Sequence, residues 1–366
     1  MQIEQLTYLI SLQLTPHVGS KLAKNLIAYC GNPEAVFYEK RRSLEKIPGI
    51  GKIIAESILN FKDFERAEKE IAFIQKNNIN VLVYYEDEYP DRLRHIDDAP
   101  LVLFSKGNCN LNQNRMIGVV GTRKATDYGK KVCEQLVTEL KEYQACVVSG
   151  LAFGIDQLAH KTALQNGMET VAILGHGLDT IYPSQHRSLA SDITNQGSIL
   201  SEYISGTKPD KANFPERNRI VAGMIDGLVV IESGIRGGAL ITADIAFSYN
   251  REVFATPGRT DAEFSAGCNH FIKLNKASLI HNANDIAYSL GWDIKPNTQK
   301  STKINWSELD KNEKLLVEYL NKNGKCHIDK IVAITEWKDS ELSLKLLDLE
   351  FKNIIKAFPG NYYKCV

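Results

Sequence analysis

Glycine-bearing turns in this sequence are followed at once by basic or polar side chains that could bind phosphate groups. One such turn and the residues that follow it lie in the segment GVVGTRKATDYGKK: Gly121, Thr122, Arg123 and Lys124. Backbone N–H groups at the start of a helix attract anions, and an arginine can bind two phosphate oxygens at once. Five basic residues and one acid lie between positions 115 and 131. The segment therefore predicts an anion site at the start of the helix that follows.

Further turns carry residues of the same kind. They are Gly150 and Gly154 in VVSGLAFGIDQLAHKTAL, Arg217, Asn218 and Arg219 in FPERNRIVAG, and Gly237, Gly238 and Thr242 in ESGIRGGALITADIA. Two arginines beside an asparagine suit phosphate oxygens and base edges together. The glycine-rich turns are predicted to lie between a strand and a helix, where their backbone N–H groups can face an anion.

The sequence supports an enzymatic function of these turns less well than it supports anion binding. A hydrolase would pair Ser149, Asp156 and His160, but Ser149 lacks the G-x-S-x-G surroundings of a nucleophilic serine. A dinucleotide site would use Gly175 and Gly177, but the third glycine of that motif is missing. No carboxylate pair or cluster of metal ligands accompanies the turns. We therefore expect no catalysis and no bound cofactor or metal.

The pattern of apolar segments predicts the scaffold that positions these turns. Apolar runs alternate with amphipathic segments between residues 79 and 292, which is typical of βαβ units and a mostly parallel sheet. The carboxyl ends of parallel strands meet at one edge of the sheet, where such folds bind their ligands. Several anion sites along one edge suit a polymer of phosphates better than a single nucleotide.

Smaller modules flank this predicted core. Residues 1–72 consist of short helical segments, and their IPGIGKIIAESI stretch resembles a helix-hairpin-helix (SAM-like) module. Residues 293–307 are polar and aperiodic, as in a linker. Residues 308–366 contain two helical patterns and a hairpin-like ending, which indicate a winged-helix-like module. We therefore predict an α/β protein with an extended Rossmann-like, mostly parallel core at residues 79–292.

Composition narrows the class of protein. The chain has 366 residues, of which 43% are hydrophobic and 24% charged, as in globular proteins with more than one domain. Its 44 lysines and arginines balance 44 acidic residues, so a nucleic-acid site has to be a local cluster. No segment approaches the roughly 20 apolar residues of a membrane span. The N-terminus does not resemble a signal peptide and the seven cysteines form no CxxC pair, so we expect a cytoplasmic protein.

The motifs, taken in order, resemble those of the DNA processing protein A family. The matching blocks are GVVGTRKATDYG, SGLAFGIDQLAHKTAL, TVAILGHGLDTIYP, FPERNRIVAG, LITADIA, REVFATPG and GCNHFI, and they run through most of the predicted core. The resemblance implies a protein that binds single-stranded DNA without an enzymatic step. It further implies protection of incoming strands in natural transformation, loading of a RecA-type recombinase, and a homodimer formed through the core.

The resemblance also assigns roles to individual residues. The phosphate-holding Gly-Thr/Ser-Arg turn of the family corresponds to the turn around Arg123, and its Arg-Asn-Arg block corresponds to the block around Asn218. Many members carry a lysine directly after Tyr-Pro, where this chain has Ser184, and Arg187 is the candidate replacement. Many members also read Ser-Gly-Ser before LITA, where this chain reads Gly-Gly-Ala.

Two other functions stay open at the level of the sequence. One is a nucleotide-processing enzyme of the phosphoribohydrolase type on a related core. Its Pro-Gly-Gly-x-Gly-Thr-x-x-Glu motif is incomplete here, because ESGIRGGALITADIA lacks the proline and the glutamate. The other is a sensor that binds a small nucleotide. If DNA is the ligand, its bases would stack on nearby aromatic side chains, for which Phe153 and Tyr182 are the candidates.

Overall fold

The structure is a computed structural model. It describes residues 3–292, 306, 309–335, 337, 339–352, 354–358 and 362–365. These residues fall into two compact units, residues 1–294 and 295–366. Nearly all of the predicted linker, and the predicted turn at 359–361, lie outside the described residues.

A single large sheet organises the first unit. Its strands are β1 (Asn80–Val83), β2 (Val102–Gly107), β3 (Met116–Val120), β4 (Cys146–Ser149), β5 (Thr170–Leu174), β6 (Ser198–Ser201), β7 (Gly227–Val230), β8 (Glu252–Ala255) and β9 (Ser278–Leu279). The spatial order is β1-β2-β6-β5-β4-β3-β7-β8-β9. Strands β3 to β9 pair in parallel, whereas β2 is antiparallel to both β1 and β6. The predicted Rossmann-like, mostly parallel sheet is confirmed.

The sequences of the central strands do not alternate between apolar and polar residues. Every residue of β3, β4, β5 and β7 is buried, because helices cover both faces of the sheet. From β3 the chain adds strands on one side up to β6, then crosses over to add β7, β8 and β9 on the other. The gap between the carboxyl ends of β3 and β7 is therefore the switch point of the sheet, where ligands of such folds bind.

Six helices precede the sheet. They are α1 (Ile3–Leu14), α2 (Ser20–Cys30), α3 (Pro33–Tyr38), α4 (Arg41–Leu44), α5 (Lys52–Leu59) and α6 (Phe64–Lys76). Their apolar side chains share one core with residues of β1 and β2. The predicted hairpin joins α4 to α5, with Gly49 at a φ of 86° that a side chain would strain. An equivalent hairpin, which the sequence analysis missed, joins α1 to α2 and has His17 at a φ of 67°.

The remaining helices of the first unit cover the sheet. They are α7 (Asp91–Arg94), α8 (Asp127–Leu140), α9 (Ile155–Gln165), α10 (Arg187–Gln196), α11 (Asn213–Gly223), α12 (Gly238–Ser248), α13 (Ala266–Lys273) and α14 (Ala283–Ser289). Helices α8, α9 and α12 each start just beyond the carboxyl end of a parallel strand. None of the helices in the described residues combines the length and apolar character needed to cross a lipid bilayer.

The second unit has a winged-helix arrangement. Its elements are α15 (Lys311–Asn323), β10 (Cys326–His327), α16 (Ile328–Thr335), α17 (Asp339–Phe351), β11 (Ile355–Phe358) and β12 (Tyr362–Cys365). The strands form an antiparallel sheet in the order β10-β12-β11. The helical patterns and the hairpin predicted α15, α17 and the β11–β12 pair. They missed α16 and β10, which have eight and two residues and are too short for a clear periodicity.

Candidate functional site

An open cleft of about 890 Å³ lies at the switch point, beyond the carboxyl ends of β3, β4 and β7. Most of the binding residues predicted from the sequence line it. They are Gly121, Thr122, Arg123, Gly150, Arg217, Asn218, Gly237, Gly238 and Thr242. Residues from four separate segments therefore meet in one cavity, because the parallel strands deliver their carboxyl ends to the same edge.

The cleft carries more positive than negative charge. Its basic residues are Arg123, Lys211, Arg217 and Arg236, and its acidic residues are Asp156 and Glu263. Lys211 and Arg236 lie exposed on the rim and were not predicted. A signal was present for Arg236, since it stands in the glycine-rich turn before α12, whereas Lys211 belongs to a polar loop without a motif.

Arg123 lies over an aromatic surface inside the cleft. Its guanidinium carbon is 5.8 Å from the ring centroid of Phe214, which belongs to the first turn of α11. The ring of Tyr182 follows at 6.1 Å from that of Phe214, and half of the Tyr182 side chain is exposed. A cation beside two tilted rings offers contacts for a phosphate and for a base at the same place.

The two aromatic candidates from the sequence occupy different positions. Tyr182 lines the cleft itself. Phe153 lines a smaller adjoining pocket and packs edge-on against His186, with 4.8 Å between ring centroids. Phe214 was not predicted, because its contact with Arg123 joins two segments that are far apart in the sequence.

The start of α8 is not the free anion site that the sequence predicts. Glu232, buried just beyond β7, directs its carboxylate to this position. It accepts hydrogen bonds from the backbone N–H of Thr126 at 2.9 Å and from the Thr126 hydroxyl at 2.5 Å. Thr126 in turn caps the helix by accepting from the N–H of Gly129 at 3.2 Å. A carboxylate of the protein therefore already lies at this helix start, whereas anion binding by the turn of Gly121, Thr122 and Arg123 stays a prediction.

The start of α12 is open. Its N-cap residue is Gly237, and no side chain caps the helix within the described part of the chain. The exposed Gly238 follows, and apart from its chain neighbours and the backbone of its own helix no atom lies within 4 Å of the position that a Cβ would take there. Both glycines line the cleft. The first turn of α12 therefore offers backbone N–H groups to an anion in the cleft.

Two buried charges, Asp156 in the first turn of α9 and Arg217 in α11, also line the cleft. Gly150 lies between them, and a side chain at that position would collide with both. Burial raises the pKa of Asp156 although the nearby Arg217 opposes the shift. Burial likewise lowers the pKa of Arg217. Asp156 is therefore the acidic neighbour of this buried guanidinium, and its charge state affects the net charge of this part of the cleft.

Lys124, Gly154, Arg187 and Arg219 do not line the cleft. The guanidinium of Arg219 donates to the backbone oxygen of Asp98 at 2.6 Å and pairs with the carboxylate of Glu202. Gly154 adopts a φ of 81° and lets α9 approach the Arg123 turn closely, where the N–H of Ile155 donates to the oxygen of Thr122 at 3.2 Å. Lys124 and Arg187 are exposed outside the cleft.

The residues of the hydrolase interpretation do not form a triad. The hydroxyl of Ser149 donates to the backbone oxygen of Val119 at 2.6 Å. The ring nitrogens of His160 lie 2.5 Å from the oxygen of Gly150 and 2.7 Å from the hydroxyl of Thr170. Complete burial lowers the pKa of His160 to about 4. The described residues also contain no group of three His, Cys, Asp or Glu side chains placed to hold a metal ion.

Comparison with known proteins identifies the family. The model of the family described as DNA recombination-mediator protein A matches residues 80–291, more than half of the chain. This chain belongs to the DNA recombination-mediator protein A family. A second model, the helix-hairpin-helix motif, matches residues 10–71. The resemblance read from the ordered motifs and the N-terminal helix-hairpin-helix module are thereby confirmed.

Relatives extend the family assignment along the chain. Protein Smf of Synechocystis is 36% identical over 282 residues, which cover 75% of this chain and 70% of that protein. DNA processing protein DprA of Streptococcus pneumoniae is 43% identical over 201 residues, 55% of this chain and 71% of that protein. The X-ray structure of the S. pneumoniae protein superposes with a TM-score of 0.67 at 35% identity, covering 77% of this chain and 97% of that one.

A second solved structure bears on the ligand of the family. It is that of DNA processing protein A from Helicobacter pylori, which is described as having a unique single-stranded DNA binding mode. Its TM-score is 0.53 at 28% identity, over 58% of this chain and 95% of that chain. The fold of the mediator core is therefore shared with a relative that binds single-stranded DNA.

Proposed function

We propose that the cleft binds single-stranded DNA and that this mediator delivers the bound strand to a RecA-type recombinase. The observation that carries the proposal is the pairing, in one cleft, of an uncapped helix start with an arginine lying over an aromatic ring. The first is suited to a phosphate and the second to a phosphate with its base. A ligand with repeated phosphates and unpaired bases satisfies both.

The strand is held mainly through its backbone. Arg123, Arg236 and the first turn of α12 contact successive phosphates, and the buried Arg217 adds a charge from the floor of the cleft. Bases stack on Phe214 and Tyr182, which have faces that any base can use, so sequence preference is weak. Duplex DNA binds less well because its bases are already stacked and paired and cannot reach these rings.

We further propose that binding involves no covalent step and that the mediator works as a homodimer. Support for the first point comes from Ser149 and His160, whose polar atoms are bonded within the sheet. Support for the second comes from exposed apolar side chains near the β9 edge: Phe247, Leu274 and Leu279 are 49%, 50% and 43% exposed. Apolar groups gathered at one edge are typical of surfaces that a second subunit covers.

Fluorescence anisotropy with labelled single-stranded and duplex oligonucleotides, measured across a salt series, tests the binding proposal. We expect tighter single-strand binding, and a loss of at least about tenfold for Arg123→Ala, since a charge-assisted contact contributes ~1.5–3 kcal/mol. The slope of log K against log salt becomes shallower by about 0.7 for each phosphate contact removed. Lys161→Ala is the matched control, because this exposed lysine on α9 lies outside the cleft.

The same variants separate binding from delivery. Filament formation by a RecA-type recombinase on protein-coated single strands shows a lag, which the wild-type chain shortens and Arg123→Ala does not. If the wild-type chain binds the strand tightly but leaves the lag unchanged, delivery to the recombinase is contradicted, whereas DNA binding by the cleft is not. Unchanged binding by Arg123→Ala contradicts the cleft as the DNA site, and tight binding of a free nucleotide without DNA binding favours the sensor or the nucleotide enzyme.

A further inference from the structure

The three-stranded sheet of the second unit has two faces of opposite character, because alternate residues of a strand point to opposite sides. One face packs into the core of the unit through Ile355, Tyr363 and Cys365. The other carries basic and aromatic side chains, and we call it the wing face. Its residues are Lys356 and Phe358 on β11, Tyr362 and Lys364 on β12, and Lys325 immediately before β10.

The register of β11 and β12 brings two lysines of the wing face together. Lys356 lies directly opposite Lys364 in the antiparallel pair, and both residues are exposed. The Cβ atoms of directly opposite residues are about 4.5–5.5 Å apart. Two like charges at this separation destabilise a sheet, whereas an anion bound between them is attracted by both. The pair is therefore suited to bind an anionic group.

Aromatic rings hold a third lysine beside this pair. Phe358 and Tyr362 lie opposite each other, two residues along the strands from the lysine pair. The Nζ atom of the exposed Lys325 lies 4.9 Å from the centroid of each ring. His327 packs edge-on against Tyr362, with 5.0 Å between ring centroids. Because an ammonium group already lies over these rings, they position a positive charge in preference to stacking on an unpaired base.

The acids beside the wing face do not balance its lysines. Within the described residues of the three strands (326–327, 355–358 and 362–365) there is no acidic side chain. Asp329 lies next to the sheet, 3.1 Å from Nδ1 of His327. Glu350 lies at the β11 edge, where it accepts from the N–H of Ala357 at 3.1 Å. Three lysines against two acids leave the wing face positively charged, and such a surface attracts a polyanion.

Helix α17 does not offer comparable charge, although the second helix of a helix-turn-helix enters the major groove in many DNA-binding proteins. Lys345 pairs with Asp310 at 2.7 Å and with Glu313 at 2.8 Å. Lys352, which follows the helix, pairs with Asp348 at 2.6 Å. These ion pairs lie within the unit and occupy both lysines. The positive charge that a polyanion can reach is therefore on the wing face.

We infer that the wing face binds the phosphate backbone of duplex DNA, at a site separate from the cleft of the first unit. A duplex carries one negative charge per about 1.7 Å of its axis on its outer surface, so closely spaced lysines contact several phosphates without unpairing any base. Phosphate contacts carry no sequence information, and binding is therefore insensitive to sequence. With three lysines the contact is weak and falls steeply with salt. The inference does not depend on strand binding in the cleft.

Fluorescence anisotropy of the full-length chain with a labelled duplex, over a salt series, tests this contact. An Arg123→Ala background in all variants separates the wing face from the cleft. We expect the double variant Lys325→Gln/Lys364→Gln to lose about tenfold in duplex affinity at low salt. The slope of log K against log salt becomes shallower by about 0.9 for each phosphate contact removed. Lys311→Gln is the matched control, since this exposed lysine lies in the first turn of α15, at the end remote from Lys325.

Equal duplex affinity of the double variant and of Lys311→Gln overturns the inference and leaves the wing face to an acidic protein partner. The variant Lys325→Arg/Lys364→Arg guards against effects on folding, because it keeps both charges. Its duplex affinity should stay within about twofold of the background chain. A loss equal to that of the glutamine variant would show that shape and not charge matters, which contradicts a phosphate contact.

Single-strand affinity, measured with wild-type Arg123, tests the choice of a duplex. The glutamine variant should bind a single strand as the wild type does, because the wing face is not part of the cleft. A tenfold loss for both the single strand and the duplex would contradict a separate duplex site.

Discussion

Helices α8 and α12 start at neighbouring strands of the same sheet, yet one start is closed and the other is open. At α8 the carboxylate of Glu232 accepts from the N–H of the N-cap Thr126, and the hydroxyl of Thr126 accepts from the N–H of Gly129. At α12 the corresponding positions are Gly237 and Gly238, which bring no side chain. Both were predicted as anion sites from the same pattern of an apolar run, a glycine turn and a helix. The pattern alone therefore does not decide which helix start remains available to a ligand.

The origin of Glu232 shows how the difference arises. This residue lies between β7 and α12, so it belongs to the connection that leads into the open helix. Its side chain nevertheless turns to the neighbouring α8, because β3 and β7 are adjacent and parallel. With Glu232 at the start of α8, the uncapped start of α12 lies in the cleft that Arg123 also lines. Glu232 thus occupies the start of α8, whereas the start of α12 faces the cleft without a capping side chain from the described residues.

The largest expected effect comes from closing α12 in the same way. Gly238→Asp places a carboxylate at the open helix start, where the space around the Cβ is free. We expect single-strand affinity to fall about a hundredfold, because a favourable helix end becomes repulsive to phosphate at short range. Thermal stability should stay equal or rise slightly, since an acid in the first helical turn contributes ~0.3–1 kcal/mol. Anisotropy and thermal unfolding measure the two quantities.

Gly238→Asn is the control for this change, because it has the same size without the charge. Its affinity should stay within about threefold of the wild type, given the small cost of a neutral side chain in open space. Wild-type affinity in Gly238→Asp would show that no phosphate binds at α12. Equal losses in both variants would indicate that crowding, and not charge, weakens binding.

A smaller effect, and one on stability, is expected from opening α8. Glu232→Gln removes a buried carboxylate that accepts from both the N–H and the hydroxyl of Thr126. The free energy of unfolding should fall by ~2 kcal/mol, because two part-buried hydrogen bonds lose their charged acceptor. Urea denaturation measures this loss. Single-strand affinity should change little, since Arg123 and α12 keep their positions.

Glu263→Gln is the complementary variant, since Glu263 is an exposed acid of the cleft itself. Its stability should equal that of the wild type, whereas its affinity for the strand should rise slightly through reduced repulsion. If Glu232→Gln instead raised affinity strongly without loss of stability, the two helix starts would be equivalent anion sites. The contrast between α8 and α12 would then be lost.

The sequence predicted the elements of the core because each of them has a local signal. The apolar runs mark the buried strands of the sheet, and parallel strands necessarily bring their following turns to one edge. This was enough to place Arg123, Gly150 and Gly238 in one cleft. The short β10 and α16 lack such a signal, and so does the hairpin at His17, where a histidine occupies the position that glycine takes in the second hairpin.

The details of the site escaped prediction because they depend on contacts between distant segments. Thr126 and Glu232 are 106 positions apart, and nothing local shows that they meet. Arg217 and Arg219 stand two positions apart, yet one lines the cleft and the other pairs with Glu202. Side chains two positions apart on a helix point in different directions. Basic residues that are close in the sequence are therefore divided between the cleft and an ion pair outside it.

The start of α9 is intermediate between the closed start of α8 and the open start of α12. A change there has the smallest predicted effect on single-strand affinity. Its first turn carries Asp156, which is buried, lines the cleft and has a pKa that burial raises. This carboxyl group is therefore neutral over a wider pH range than an exposed aspartate. Each time it ionises, a negative charge appears beside Arg217 and opposes an incoming phosphate. By the same linkage, folding stability from this group is lost as pH rises through its pKa in the folded state.

Single-strand affinity should consequently rise about threefold as pH falls through the Asp156 pKa, while the phosphates stay ionised. Asp156→Asn should bind at every pH as the wild type binds at the acidic end of the range. The difference between the two proteins isolates this group from His160, whose pKa is lowered to about 4 and whose protonation destabilises the fold as pH falls. Parallel pH profiles for the two proteins would mean that Asp156 keeps one charge state in the cleft, and that α9 contributes to the site only through the close approach of Gly154 to the Arg123 turn.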